Sequence, residues 1–457
     1  MTHFAFDNLT VPTIRTPLPG PNGAELLARH DRYVSPSYTP AYPLFVERAS
    51  GCVIQDVDGN LFLDFTAGIA VTNTGHCHPD VVAAIKDQSD KLLHMSGTDF
   101  YYRPQIDLAE KLAKLAPGSS PKKVFFCNSG AEALEGALKL ARWHTKRNRV
   151  VAFFGAFHGR TYGAMSLSGS KLVHRRGFSP LVPDIHHVNF PRQCPEEKPC
   201  TEKCQLIAEI EDTIFRRTAP PDEVAAIFVE PIQGEGGYHP IAPGCLLALR
   251  TLCDKHGILL VVDEVQSGMG RTGKMFAVEH YGVEPDIICS AKGIASGMPL
   301  GAIIAKGNVM DWPPGSHAST FGGNPVSCRA SLASIDLLER EYMANATARG
   351  EQLRAGLRTL AEKHSVLTGV RGLGLMVAVD LPSAGYREKV IQTAFHRGLL
   401  LLGCGDTAIR FCPPLCVSEV QVETALAILD GVLGTVEVAK PPSARAEGAA
   451  KGASTGA

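Results

Sequence analysis

No stretch of this sequence stays apolar for the roughly 20 residues that a membrane helix requires. Apolar runs such as 258–262 (ILLVV) stop far short, so neither a membrane span nor a membrane partner is expected. An excess of charge is also missing. The 457 residues carry 45 Lys+Arg against 46 Asp+Glu, a net charge of −1, which offers no basic field for a phosphate backbone and excludes nucleic acid as the main partner. The opening decapeptide MTHFAFDNLT has neither a basic segment nor an apolar one behind it, and a cytoplasmic protein is expected. No segment repeats at a fixed period, which argues against a solenoid. A disulfide framework is not expected either. The 13 cysteines are odd in number and mostly scattered through apolar stretches, as at Cys127, Cys253 and Cys289.

What is present is enough apolar material, 45% of residues, for a large core and for two or three domains. Between about 75 and 330 short apolar runs alternate with helical patterns. Strands are predicted at 123–127, 150–154, 224–229, 258–262 and 286–290, and helices at 131–147 and about 243–256. This alternation predicts an α/β fold, a mostly parallel sheet with helices on both faces. Residues 43–65 read as a meander with a turn at Asp58-Gly59, and 331–342 and 344–364 as helices followed by alternating segments near 366–380 and 408–412. The expected division is 1–74 as N-terminal arm and part of a small domain, 75–330 as the large domain, 331–440 as the rest of a small α+β domain built from both chain ends, and 441–457 as a disordered tail. Residues 11–22, rich in proline, are expected to be an extended arm.

Ligands of such sheets bind beyond the carboxyl ends of the strands, and three segments there carry chemistry. Asn128-Ser129-Gly130-Ala131 joins a strand to a helix, where free amides and a hydroxyl can hold an anion, or where the serine is simply a cap. Asp263 and Glu264 stand where a strand leaves the sheet, with Gln266 just beyond; a carboxylate there suits a metal, a ribose hydroxyl, a protonated ring nitrogen or plain solvent. Lys292 follows a buried-looking strand in a glycine-rich loop, where a lysine is either an ordinary surface charge or an amine able to form a Schiff base with an aldehyde. An anion cradle, an acid and a lysine at three strand ends are together what pyridoxal 5′-phosphate requires.

The motifs NSGAEALEGALKLAR (128–142), GAFHGRT (155–161), VEPIQGEGG (229–237), VVDEVQSGMGRTG (261–273), AKGIASGMPLGA (291–302), STFGGNP (319–325) and IRFCPP (409–414) follow one another in the order seen in the class III, or ω-, aminotransferases. Over about 20–437 the sequence resembles that family, within it the 4-aminobutyrate members. The resemblance implies a pyridoxal-phosphate-dependent transferase of fold type I, acting on a small-molecule amino donor and a 2-oxo acid acceptor. It implies a homodimer with shared active sites, or a tetramer of such dimers. It also implies roles. Lys292 would be the Schiff-base lysine and proton shuttle, Asp263 the partner of the pyridine nitrogen, and Gln266 that of the ring hydroxyl. Phe157 would stack on the ring, with His158 and Glu230 beside it. Ser129, Gly130 and Ala131 would hold the phosphate, joined by Thr320 from the second subunit. Arg410 would bind an α-carboxylate and pair with Glu235 when idle, and Arg160 would anchor a distal carboxylate.

On substrate the signals divide. Ile69 resembles the apolar pocket wall of 4-aminobutyrate enzymes, whereas LLGCGDTAIRFCPPL (401–415) looks close to archaeal members that include racemases. The order of expectation is 4-aminobutyrate, then ornithine or a related diamine or ω-amino acid, then a racemase or epimerase. One departure from the pattern is a polar insertion carrying Cys194, Cys200 and Cys204 after His186 and His187; its spacing is not that of a zinc knuckle, and free thiols, a loop disulfide or a metal site stay open.

Overall fold

The computed structural model describes residues 4–192 and 204–436. The expected tail at 441–457, together with Cys194 and Cys200, lies outside the described residues. No helix among the described residues is long and apolar enough to cross a membrane.

The centre is a seven-stranded sheet of β1 (Lys122–Cys127), β2 (Arg149–Phe153), β3 (Ile185–Val188), β4 (Val224–Val229), β5 (Leu259–Asp263), β6 (Ile287–Ser290) and β7 (Gly301–Lys306), in the order β1-β7-β6-β5-β4-β2-β3. From β6 to β3 all neighbours run parallel. β7 runs antiparallel to both β6 and β1. Parallel strands must bury both faces, and β4, VAAIFV, is buried at every position. The five strands expected from sequence are all present; β3 and β7 are additional. β7 starts at a glycine because its backbone runs against the Ser129 carbonyl. A Cβ at Gly301 would lie 2.5 Å from that oxygen, which any other residue would have to push aside.

Helix α1 (Gly130–Thr145) packs Ala133, Leu134, Ala137, Leu138 and Ala141 into the core and ends on Lys146 in the left-handed conformation. Helix α2 (Cys245–His256) stops at Gly257, φ +61°, as its sequence predicts.

The meander comprises Val46–Ser50, Val53–Asp56 and Leu61–Asp64, and Leu399–Leu400 adds to it in parallel, so the two ends of the chain meet in one sheet. A second four-stranded sheet holds Thr368–Leu373, Met376–Asp380, Ala408–Phe411 and Leu402–Cys404. The expected extended arm is only partly so. Residues 11–20 are irregular apart from a bridge between Thr13 and Leu61, but a helix begins at Pro21 and runs to Tyr33. Proline suits the first turn of a helix, and the Asp58 carboxylate, 36 residues away in sequence, takes the amides of Asn22 and Gly23 at 3.0 and 2.9 Å.

Candidate active site

A cavity of about 350 Å3 opens at the carboxyl ends of β1, β5 and β6. It is lined by Asn128, Ser129, Gly130, Ala131, Phe157, His158, Glu230, Asp263, Gln266 and Lys292, which sequence reasoning had singled out, and by Val71, Val265 and 297–300, to which it had given no role.

Ser129 caps α1, its Oγ accepting from the Glu132 amide at 3.2 Å. The amides that follow have no acceptor within their own helix and face a helix dipole's positive end, an arrangement suited to phosphate. Asn128 is held by Glu132 at 2.9 Å and donates to Ser319 Oγ at 3.1 Å, which ties the 319–323 turn to the cradle. Thr320 itself is exposed and does not line the cavity of its own chain.

Asp263 is buried at the end of β5, with its Oδ2 2.7 Å from His158 Nδ1 and its Oδ1 accepting from the Val265 amide. Burial alone would lower the pKa of His158; the bond to Asp263 outweighs this and raises it. Glu230 beside them accepts from the Phe157 and Gly234 amides, and burial, with Asp263 adding to it, pushes its carboxyl up to about 7. Glu264 is not at a solvated strand end. It is fully buried, accepts from Ser267 Oγ and the Val278 amide, and burial lifts it to about 7.

Gln266 is buried, and its Oε1 takes the Tyr238 hydroxyl at 2.7 Å. Phe157 lies edge-on to His174, with ring centroids 5.1 Å apart. Lys292 is in the left-handed region, φ +46°, a conformation that costs a side-chain-bearing residue of order 1 kcal/mol and is characteristic of functional sites. Burial, with the positive charge of Arg410 adding to it, holds its ammonium below the usual lysine range. The amine is thereby kept closer to the neutral, nucleophilic form.

Arg410, on Ala408–Phe411, is buried and its Nη1 meets Glu235 Oε1 at 2.5 Å. Burial opposes the charge on Glu235, but Arg410 and Lys171 together hold its carboxyl down to about 2. Both Arg410 and Glu235 act electrostatically on Lys292, which sets the pair beside the cavity although neither lines it. Arg160 is exposed near His174 and makes no hydrogen bond or ion pair within the described residues. Ile69 is 36% exposed and outside the lining, in Ala67–Ala70, where all four residues have positive φ. That turn is held by Asp64, fully buried, which accepts from the amides of Thr66 and Ala67 and from His76. Cys204 is buried ahead of the helix Gln205–Glu209, and no group of three or more His, Cys, Asp or Glu among the described residues is placed to hold a metal ion.

The residues present fit pyridoxal phosphate. An anion cradle, a buried carboxylate for a ring N–H and a buried lysine share one cavity. The fold and this site define a pyridoxal-phosphate-dependent enzyme of fold type I. The protein belongs to the class-III aminotransferases, whose family model matches residues 33–433. It is 41% identical over 416 residues to the 5-aminovalerate aminotransferase DavT of Pseudomonas aeruginosa, covering 88% of this chain and 96% of that one. It is 40% identical to an acetylornithine aminotransferase of Caldanaerobacter subterraneus, covering 90% and 100%. It is 39% identical to the 4-aminobutyrate aminotransferase GabT of Escherichia coli, covering 89% and 97%. Among solved structures, the ornithine aminotransferase of Toxoplasma gondii superimposes with a TM-score of 0.81 at 30% identity, covering 91% of this chain and 95% of that one.

Proposed function

We propose that the protein transfers the amino group of an ω-amino acid, 4-aminobutyrate, to 2-oxoglutarate, yielding succinate semialdehyde and glutamate. Bound pyridoxal phosphate supplies an electron sink for the carbanion left when the substrate's C–H bond breaks. Ser129, Gly130 and Ala131 hold its phosphate, Asp263 its ring N–H, Gln266 its ring hydroxyl, and Phe157 stacks on the ring, with His158 and Glu230 setting the charge around Asp263. Lys292 takes the proton from the substrate's reacting carbon and returns it. Thr320 completes the phosphate site of a second copy, which makes the working unit a homodimer. The described residues of 75–330 form its large domain, and those of 1–74 and 331–440 the smaller one.

The observation that carries the substrate choice is the Glu235–Arg410 pair, 2.5 Å apart. An arginine already neutralised leaves room for a donor with no carboxylate at the reacting carbon, and Arg160, exposed and without an ion pair among the described residues, is a charge suited to a distal one. The test is a half-reaction screen that follows the visible absorbance of the cofactor-loaded enzyme. The substrates are 4-aminobutyrate, 5-aminovalerate, ornithine, N-acetylornithine, β-alanine and leucine. 4-Aminobutyrate should react with the highest kcat/KM. A preference for N-acetylornithine, or interconversion of L- and D-leucine without transfer, would replace this reading.

A further inference from the structure

Glu235 touches two cations. Its Oε1 meets Arg410 Nη1 at 2.5 Å on the buried side, and its Oε2 meets Lys171 Nζ at 3.4 Å on the side facing solvent. The two differ in freedom. The Arg410 side chain is 6% exposed, whereas that of Lys171 is 41% exposed on a long flexible stem. The main chain on both sides is fixed. The Glu235 carbonyl accepts from the Gly405 amide at 2.8 Å, and Lys171 leads into the short 3-10 turn Leu172–His174, whose histidine packs on Phe157. Glu235 can therefore change partner only by turning its side chain.

Resting on the substrate reading above, we propose that Lys171 is a positioning residue for the 2-oxo acid half-reaction. It is the second seat that receives Glu235 when a substrate α-carboxylate takes Arg410. A carboxylate that leaves a buried arginine must find another cation or water, or carry an uncompensated charge in a half-buried place. Lys171 already stands within reach. In the resting arrangement it holds one oxygen at long range; once Arg410 is taken, it can engage the whole carboxylate. Its contribution is thus larger in the α-carboxylate-bound state than in the resting one. Only interactions that differ between two states shift their balance. Lys171 should therefore favour dicarboxylic ligands over monocarboxylic ones without touching either.

The test is calorimetric titration of the cofactor-loaded enzyme with two ligands that cannot react. Glutarate carries both carboxylates and needs Arg410, whereas butyrate carries the distal one alone. Lys171→Met should weaken glutarate about three- to fivefold, the upper range of a partly exposed ion pair, and butyrate less than twofold. Lys171→Arg should restore glutarate binding. Glu235→Ala should tighten glutarate by freeing Arg410, and adding Lys171→Met to it should then change nothing. If Lys171→Met shifts both ligands alike or neither, while Glu235→Ala still tightens glutarate, the second seat is refuted and the arginine exchange stands. If the loss persists in the Glu235→Ala background, Lys171 meets the ligand directly and the inference is equally wrong. If Glu235→Ala leaves glutarate unchanged, the exchange itself falls and the inference falls with it.

Discussion

His158 Nδ1 and Asp263 Oδ2 lie 2.7 Å apart with almost no exposure of either side chain. The two residues are 105 positions apart in the chain and reach one another because β5 and the segment after β2 end at the same rim of the sheet. A carboxylate taken out of water needs a hydrogen-bonding partner to offset its lost hydration, and His158 is that partner for Asp263.

Asp263→Ala is expected to keep part of its cofactor and to transaminate far more slowly. Removing one member of a buried charge pair costs on the order of 2–5 kcal/mol, which is roughly 30-fold to several thousandfold in rate. Single-turnover rates with 4-aminobutyrate check this. A rate within a few-fold of wild type would strip Asp263 of any part in the chemistry.

Glu264 gives a pH signature that does not depend on turnover. Its carboxyl is raised to about 7 in the folded chain by burial, so the folded protein holds a proton that the unfolded chain releases at lower pH. The stability it lends is complete below the unfolded carboxylate pKa and is lost as pH rises to about 7. Glu264→Gln should therefore unfold at the same or lower denaturant than wild type at pH 5 and gain on it by pH 8. The relative gain should be on the order of 2 kcal/mol. Urea titrations of the cofactor-free protein at the two pH values decide the matter; parallel behaviour of the two proteins would mean the carboxyl is not held protonated.

The two arginines should separate the half-reactions. Arg160→Ala removes the free cation and should damage the 4-aminobutyrate half-reaction by at least tenfold in kcat/KM, the worth of a charge-assisted carboxylate contact. Arg410→Ala should damage the glutamate half-reaction more. Equal losses in both directions would contradict the division of labour.

Sharing of the site between copies predicts complementation. Lys292→Ala and Thr320→Trp homodimers should each be inactive, whereas mixing them should restore activity once subunits exchange. Each mixed dimer gathers both lesions in one site and leaves the other whole. Proven exchange with no recovery would place Thr320 outside the partner's site.

Five of the seven strands of the central sheet, the two helices with clear stop signals and the residues at three strand ends were legible because each is written in local sequence. An apolar run, a cap and a charged residue after a strand need no distant information. What escaped reading depends on partners far along the chain. Pro21–Tyr33 hides behind prolines and takes its cap from Asp58. β7 reads as the tail of a loop, since its partners, β1 and β6, are fixed only by topology. Asp64 shows no sign in sequence that it holds four residues in left-handed geometry, because strain is a property of backbone angles and not of residue type. Lys171 beside Glu235 was equally invisible, being 64 residues away in a segment with no recognisable pattern.

The reversed strand β7 separates β1, which leads to Ser129, from β6, which leads to Lys292. Strands are spaced about 4.8 Å apart, so one interposed strand sets the two turns about 9.6 Å from each other across the sheet. That gap belongs to the hydrogen-bond lattice of the protein's most buried layer, where no loop movement or side-chain rearrangement can stretch it. The sheet is in this sense a gauge. It sets, independently of any side chain, how far apart the segments that follow β1 and β6 leave the sheet.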